Sequence, residues 1–368
     1  MALFTKFASN IEAMKSKLTV LYFSIWLGGT FWSVSGQFID AETAPKWYFA
    51  LFGGTFLCWM YGMSHFRSIP TTKKPHFTDI FLSISLCATA LAFHGLLQWS
   101  GLWTPQPMFP VCGNFDNPAG IASALAFSLP FSLHYTPSPC TSFRYTALAS
   151  TLFIACAIIA SESRAGILSM GCIFLLYFPM KWPKISKVLT FGLMILLAAS
   201  SVFLYHYKKD SADGRLLIWQ CTWNMIKERP LYGYGYGGFQ ANYMDEQAQF
   251  FHTHPNSRYA QLADDVKSPF NEYLGVLTEF GFIGSTAMLL CAVVLFRMWR
   301  KHPGGSSRPA LLCLTAIAVF SLFSYPFRYP HTWILCMGSA FVLVLNGHPA
   351  LRQTTGCLPF VAALLLTT

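Results

Sequence analysis

The stretch YTALASTLFIACAIIASESRAGILSMGCIFLLYFPM (residues 145–180) is apolar throughout except at its middle, SESRAG (161–166). As one straight helix these 36 residues would measure about 54 Å, against a hydrocarbon core of about 30 Å. The segment must therefore fold back at its polar centre, as a helical hairpin with Arg164 at the tip. An arginine left in lipid would cost about 3 kcal/mol or more.

The rest of the chain has the same character. Of its 368 residues 54% are hydrophobic and only 11% charged, where a soluble domain carries about 25% charged residues. Such a chain cannot cover itself with polar surface. The expected fold is all-α: a polytopic transmembrane bundle of about ten to twelve helices with one large external loop. Apolar spans fall near 18–38, 46–66, 78–98, 118–135, 144–161, 165–180, 188–206, 270–297, 309–325 and 333–347, and a last apolar piece at 357–368 is too short to cross alone. Residues 1–17 are mixed and basic, and no small-residue cleavage site follows them, which argues against a cleavable signal.

The net charge of +10 sits in short clusters between apolar runs, so it reads as topology and not as a nucleic-acid stripe. Lys6, Lys15 and Lys17 precede the first span, and Arg67, Lys73 and Lys74 follow the second. Arg144, then Lys181, Lys184 and Lys187, then Arg297, Arg300, Lys301 and Arg308 mark every second connector after that. By the positive-inside rule these connectors and the N-terminus face the cytoplasm. Residues 39–45, 99–117 and 207–268 then lie outside, dividing the chain into N-terminal helices (1–206), a large external loop (207–268) and C-terminal helices (269–368).

Within the loop, Leu216, Trp219, Trp223 and Ile226 recur at helical spacing, with Ser211 or Asp213 as a start signal and Pro230 as a stop. A tryptophan-bearing face suits the membrane–water interface, so membrane lipid is an expected partner and Arg215 would sit at phosphate depth. The chain returns to the membrane through VKSPFNEYLGVLTEFGFIG (266–284), where Ser268 followed by Pro269 reads as a helix cap and first turn. Free N–H groups there favour an anion. Arg164, Arg215 and this helix start thus form a candidate diphosphate site.

Other signals carry less. GYGYGG (233–238) matches a dinucleotide fingerprint, but no strand precedes it. HTH (252–254) has no further metal ligands spaced around it, Asp264 and Asp265 read as a solvated turn, and His94 reads as a hydrogen-bonded core residue. The 11 cysteines show no metal or redox spacing. No metal and no cofactor are expected.

GNFDNPAG (113–120), SESRAG, DGRLLIW (213–219), RPLYGYGYGGF (229–239) and NEYLGVLTEFGFIG (271–284) occur in this order around the long loop. In these motifs, from about residue 110 to 300, the chain resembles the O-antigen ligase and O-antigen polymerase superfamily. The resemblance implies a metal-independent glycosyltransferase of the bacterial inner membrane, acting in lipopolysaccharide biosynthesis. It would take a glycan from undecaprenyl diphosphate on the periplasmic face and pass it to the lipid A core. Related members use a protein hydroxyl or another repeat unit as acceptor. By matching motif, Arg164, Arg215 and Ser268 would bind the donor diphosphate, and Arg164, Arg215, Asn271 and Glu272 would form the catalytic set. Family ligases usually carry a histidine directly before the asparagine, where this chain has Phe270. Glu272, His252, His254 and Asp265 are the candidate substitute bases. A transporter of an anionic lipid or solute is the alternative from another class; it would call for charges within spans and two related halves, neither of which the sequence offers.

Overall fold

The computed structural model describes residues 2–66, 77–104, 109–181, 191–192, 194 and 209–348. Among these the chain is helical, with no strand beyond an isolated β-bridge residue at Phe109. The N-terminal half contains α1 (Ala2–Trp32), α2 (Ala44–Phe66), α3 (Phe77–Trp99), α4 (Pro118–His134), α5 (Thr141–Ala160) and α6 (Arg164–Lys181). The loop supplies α7 (Lys209–Glu228) and α8 (Gly238–Thr253), and the chain closes with α9 (Glu272–Lys301), α10 (Ser307–Phe320) and α11 (Pro330–Gly347). Helices α3, α5, α9 and α11 are each long and apolar enough to cross a membrane. The expected span at 188–206, the basic connectors at 67–76 and 182–190, and the apolar piece at 357–368 lie outside the described residues.

The hairpin forms as its length requires. Helix α5 ends at Ala160, three residues turn the chain, and α6 starts at Arg164. The turn needs Glu162 in the left-handed region (φ 53), a conformation uncommon outside glycine. Ser163 Oγ accepts from the Gly166 N–H at 3.3 Å and braces the first turn of α6.

Helix α4 forms the centre of the bundle. From Gly120 to Leu133 it is buried on every side, as expected of a helix that is apolar all round. Small residues let its neighbours approach closely, and hydroxyls tie them together. Ser132 bonds Ser85 of α3 at 2.8 Å and Ser150 of α5 at 3.0 Å. One expectation fails nearby: both ring nitrogens of His94 are without a hydrogen-bond partner, and the ring instead packs edge-on to Trp103 at 5.4 Å. The apolar surroundings that bury it offer an aromatic edge rather than an acceptor.

Among the described residues, hydrogen bonds gather the connectors at two ends. At one end Lys46 reaches the Asn114 carbonyl, Arg328 reaches Asp40, Arg164 reaches Ser211 and Arg215 reaches the Phe323 carbonyl. At the other, Lys181 bonds Thr136, Tyr135 bonds the Thr78 carbonyl, and Asn346 bonds Ser306 and Ser307.

In the loop, α7 begins at Lys209, ahead of both Ser211 and Asp213, so neither caps it. Its buried face also differs from the expected one. Leu217, Ile218, Cys221 and Met225 pack on Phe239 and Tyr243 of α8. Ile226 is buried too, whereas Leu216 and Trp223 stay exposed. A second helix covers the flank one residue along from the predicted stripe, which the spacing within α7 alone does not reveal.

The glycine-rich run then docks on α9. Helix α9 breaks at Gly281 (φ 62, ψ −161). Into that break the N–H groups of Tyr234 and Gly235 donate to the Thr278 and Glu279 carbonyls at 2.9 and 2.8 Å. In return the Phe282 and Ile283 N–H groups donate to Pro230 and Leu231 at 2.8 and 3.3 Å. A Cβ on Gly233 would lie 2.5 Å from the Thr278 oxygen, and one on Gly281 would lie 2.3 Å from the Leu231 oxygen. Only glycine permits this approach. Glu279 Oε1 accepts from the Gly237 N–H at 3.0 Å, so a carboxylate of the chain itself fills the position a phosphate takes in a dinucleotide fingerprint.

Candidate functional site

The site forms at the connector-rich end that carries the loop, where α4, α6, α7, α9 and the α10–α11 connector (321–329) meet. Helix α9 starts one turn later than the sequence suggests. Ser268 is not its cap and Pro269 is not its first residue. Phe270 takes φ 53, which turns the backbone out of any helical path and leaves Asn271 (φ −156) as the cap. Asn271 Oδ1 accepts from the Tyr273 and Leu274 N–H groups at 3.0 and 3.2 Å, and its carbonyl accepts from Gly275. The Glu272 N–H donates to the Ser321 carbonyl at 2.9 Å. The donors of the first turn therefore already have partners within the protein, and the helix start offers none of these donors to an anion.

Arg215 is half-buried. Its Nη1 donates to the Phe323 carbonyl at 2.6 Å, and its guanidinium lies over the Phe270 ring at 5.2 Å. Phe270 in turn packs edge-on to Tyr325 at 5.1 Å. Arg164 donates to Ser211 Oγ at 2.8 Å. Among the described residues neither guanidinium has a carboxylate partner. Burial, and then the like charge of Arg164, pull the Arg215 pKa down to about 10. Two cations held together without a counter-ion are electrostatically incomplete, and an anion between them would relieve both terms.

Glu272 is the first residue of α9, directly after the Asn271 cap. Its Oε1 accepts from the Phe327 N–H at 3.1 Å, which ties it to the same 321–329 connector that holds Arg215. The other candidate bases lie in the loop: His252, His254 and Asp265 are exposed, with His254 Nδ1 held by Thr253 Oγ1 at 2.9 Å and by the Phe250 carbonyl at 3.1 Å.

Several residues that position the site were missed in the sequence. Arg328 bonds Asp40 at 3.0 Å and Asp116 at 3.5 Å. Tyr329 donates to Asp116 at 2.5 Å, while Asn117 Nδ2 donates to the hydroxyls of Tyr325 at 2.7 Å and Tyr329 at 3.2 Å. Lys46 is fully buried, with its ammonium on the carbonyls of Ser33, Glu42 and Asn114 and over the Phe115 ring. GNFDNPAG thus works as a clamp on the 321–329 connector. The one available signal was YPFRYPH (325–331), an arginine among aromatics and prolines between two short apolar runs.

No curated protein matches the chain. Residues 149–289 match the family model described as O-antigen ligase, a region that includes the hairpin tip, both arginines, the docked glycine run and the start of α9, and leaves the GNFDNPAG clamp outside it. The chain is thus helical, with four helices among the described residues long and apolar enough to cross a membrane, and its residues 149–289 are similar to the O-antigen ligase family.

Proposed function

We propose that the protein takes a glycan from undecaprenyl diphosphate on the periplasmic face of the inner membrane and passes it to a hydroxyl of the lipid A core. The helices of 1–206 and 269–368 form the membrane body, and the loop of 207–268 handles the glycan in the periplasm, with the N-terminus cytoplasmic. The observation that carries this reading is Arg215, half-buried and under the like charge of Arg164, with no carboxylate partner among the described residues.

In this reading the acceptor oxygen attacks the anomeric carbon as the bond to the diphosphate oxygen breaks, and the diphosphate leaves with the electron pair. Arg164 and Arg215 neutralise the charge that develops on it, the role a divalent cation plays in other transferases. Phe270 holds the Arg215 guanidinium by its ring face and takes no proton. Glu272 accepts the acceptor proton: among the candidate bases, it shares the 321–329 connector with Arg215. Asn271 acts by capping α9 and so fixing Phe270 and Glu272 on either side of it.

Transfer in vesicles tests the proposal, with undecaprenyl-diphosphate-linked glycan as donor and lipid A core as acceptor. The native chain should transfer, Arg215→Ala should lose both transfer and donor binding, and Glu272→Gln should lose transfer but keep the donor. Transfer that survives Arg215→Ala overturns the diphosphate assignment. Transfer to a protein or a second repeat unit, but not to lipid A core, overturns the acceptor.

A further inference from the structure

A groove of about 940 Å³ runs along α7 beside the arginine pair, bounded by Leu274 of α9 and by Phe250 and the segment after α8. Its lining contains no aspartate, glutamate, lysine or arginine. Along α7 it alternates aromatic and amide side chains on successive turns, Trp219 with Gln220 and Trp223 with Asn224, and Asn256 faces them from the loop. Trp219 is fixed in place because its indole N–H donates to the Pro269 carbonyl at 2.9 Å. Trp223 is 53% exposed. His254 stacks on Phe250 at 4.7 Å and 18°, and with Nδ1 engaged, its Nε2 is the ring nitrogen left for a ligand.

We infer that this groove binds an uncharged oligosaccharide, the sugars of the transferred glycan beyond the one that reacts. The inference rests on the glycan-transfer reading above. Sugar rings offer flat C–H faces to indole rings and a dense row of hydroxyls to amides, and the groove supplies both. A lipid tail would desolvate Gln220, Asn224 and Asn256 without replacing their hydrogen bonds. An acidic glycan would find no counter-ion in the lining. Position favours the donor glycan. Leu216 in the groove wall follows Arg215 directly, and Trp219 bonds the residue before Phe270, on whose ring Arg215 rests.

The test uses the full chain in nanodiscs, with hexasaccharides of galactose, glucose and N-acetylglucosamine as neutral probes and hexagalacturonate as the acidic one. Saturation-transfer NMR should show binding of at least one neutral probe and binding of the acidic one about tenfold weaker or less. Trp223→Ala should weaken the neutral probe by about tenfold, while Trp223→Phe keeps most of the affinity. Arg215→Ala should leave the neutral Kd unchanged although it removes donor binding, so the groove and the diphosphate site fail separately. Transfer assays should show Trp223→Ala raising the KM for the lipid-linked donor but not for the acceptor; the reverse would assign the groove to the acceptor and overturn the donor assignment. Three results overturn the inference itself: no neutral probe binds, hexagalacturonate binds as tightly, or Trp223→Ala changes nothing. Quenching of Trp223 fluorescence by brominated phospholipid would place lipid in the groove and overturn it equally.

Discussion

Helices α4 and α9 begin in the same way, yet their surroundings do opposite things. Each is capped by an asparagine at φ −156 whose side chain accepts two N–H bonds of the first turn, and each is tied to the 321–329 connector. Beside the α4 start lies Arg328, which has two carboxylates. Burial would lower its pKa, but Asp116 and Asp40 more than offset that and raise it. Beside the α9 start lies Arg215, which has none, and burial with Arg164 lowers it. The capping device is shared, and the counter-ion separates the two ends: a paired arginine holds the fold, and in the proposed function the one without a carboxylate receives the donor diphosphate.

The comparison breaks most sharply at Arg215. Arg215→Ala should reduce transfer by about 10³-fold, the upper range for loss of one charge-stabilising donor. Arg215→Lys should fall between, because a point charge replaces a planar fork. Both are read from initial rates at saturating acceptor. Glu272→Gln should cost about 10²-fold in kcat with donor affinity unchanged. The amide oxygen still accepts from Phe327, so a purely structural Glu272 would show no such loss.

Asp116→Asn removes one counter-ion from Arg328 and moves it toward the state of Arg215. Thermal unfolding should show a loss of about 1–3 kcal/mol, with transfer per folded molecule little changed. Phe270→His should leave thermal stability unchanged or higher, since the left-handed region that Phe270 occupies suits histidine better. Phe270→Val should lower it by about 1–3 kcal/mol. The smallest effect concerns Asp40. Burial raises its pKa, but bonds from Thr43 and Arg328 outweigh this and hold it below the ordinary value. Its contribution is therefore complete above about pH 4, the unfolded value, and is lost as pH falls through the lower folded value. The native chain and Asp40→Asn should differ in Tm at neutral pH and converge in acid.

Much of this architecture was legible because it depends on local length and polarity. The 145–180 hairpin follows from 36 apolar residues and one arginine. What was not legible depends on partners distant in sequence. Arg328 and Asp40 are 288 positions apart, and no periodicity announces the pair. The buried face of α7 was displaced because α8 selects it, and the cap of α9 moved from Ser268 to Asn271 because Phe270 adopts a backbone angle that its residue type disfavours. Arg164 and Arg215 were recognisable as candidates, whereas the lack of a carboxylate bonded to either among the described residues required three dimensions.

The docking of the glycine run on α9 has a consequence for biogenesis. Residues 230–237 are synthesised well before 278–283, yet each set completes the other's hydrogen bonds, and the carboxylate at the start of α8 belongs to Glu279. In the proposed topology the loop crosses the membrane with these donors and acceptors still open to water, and it settles only after the next helix has been made. There is thus an interval during synthesis when this segment is unfinished and exposed to proteases and chaperones. Slowing the insertion of α9 should lengthen that interval.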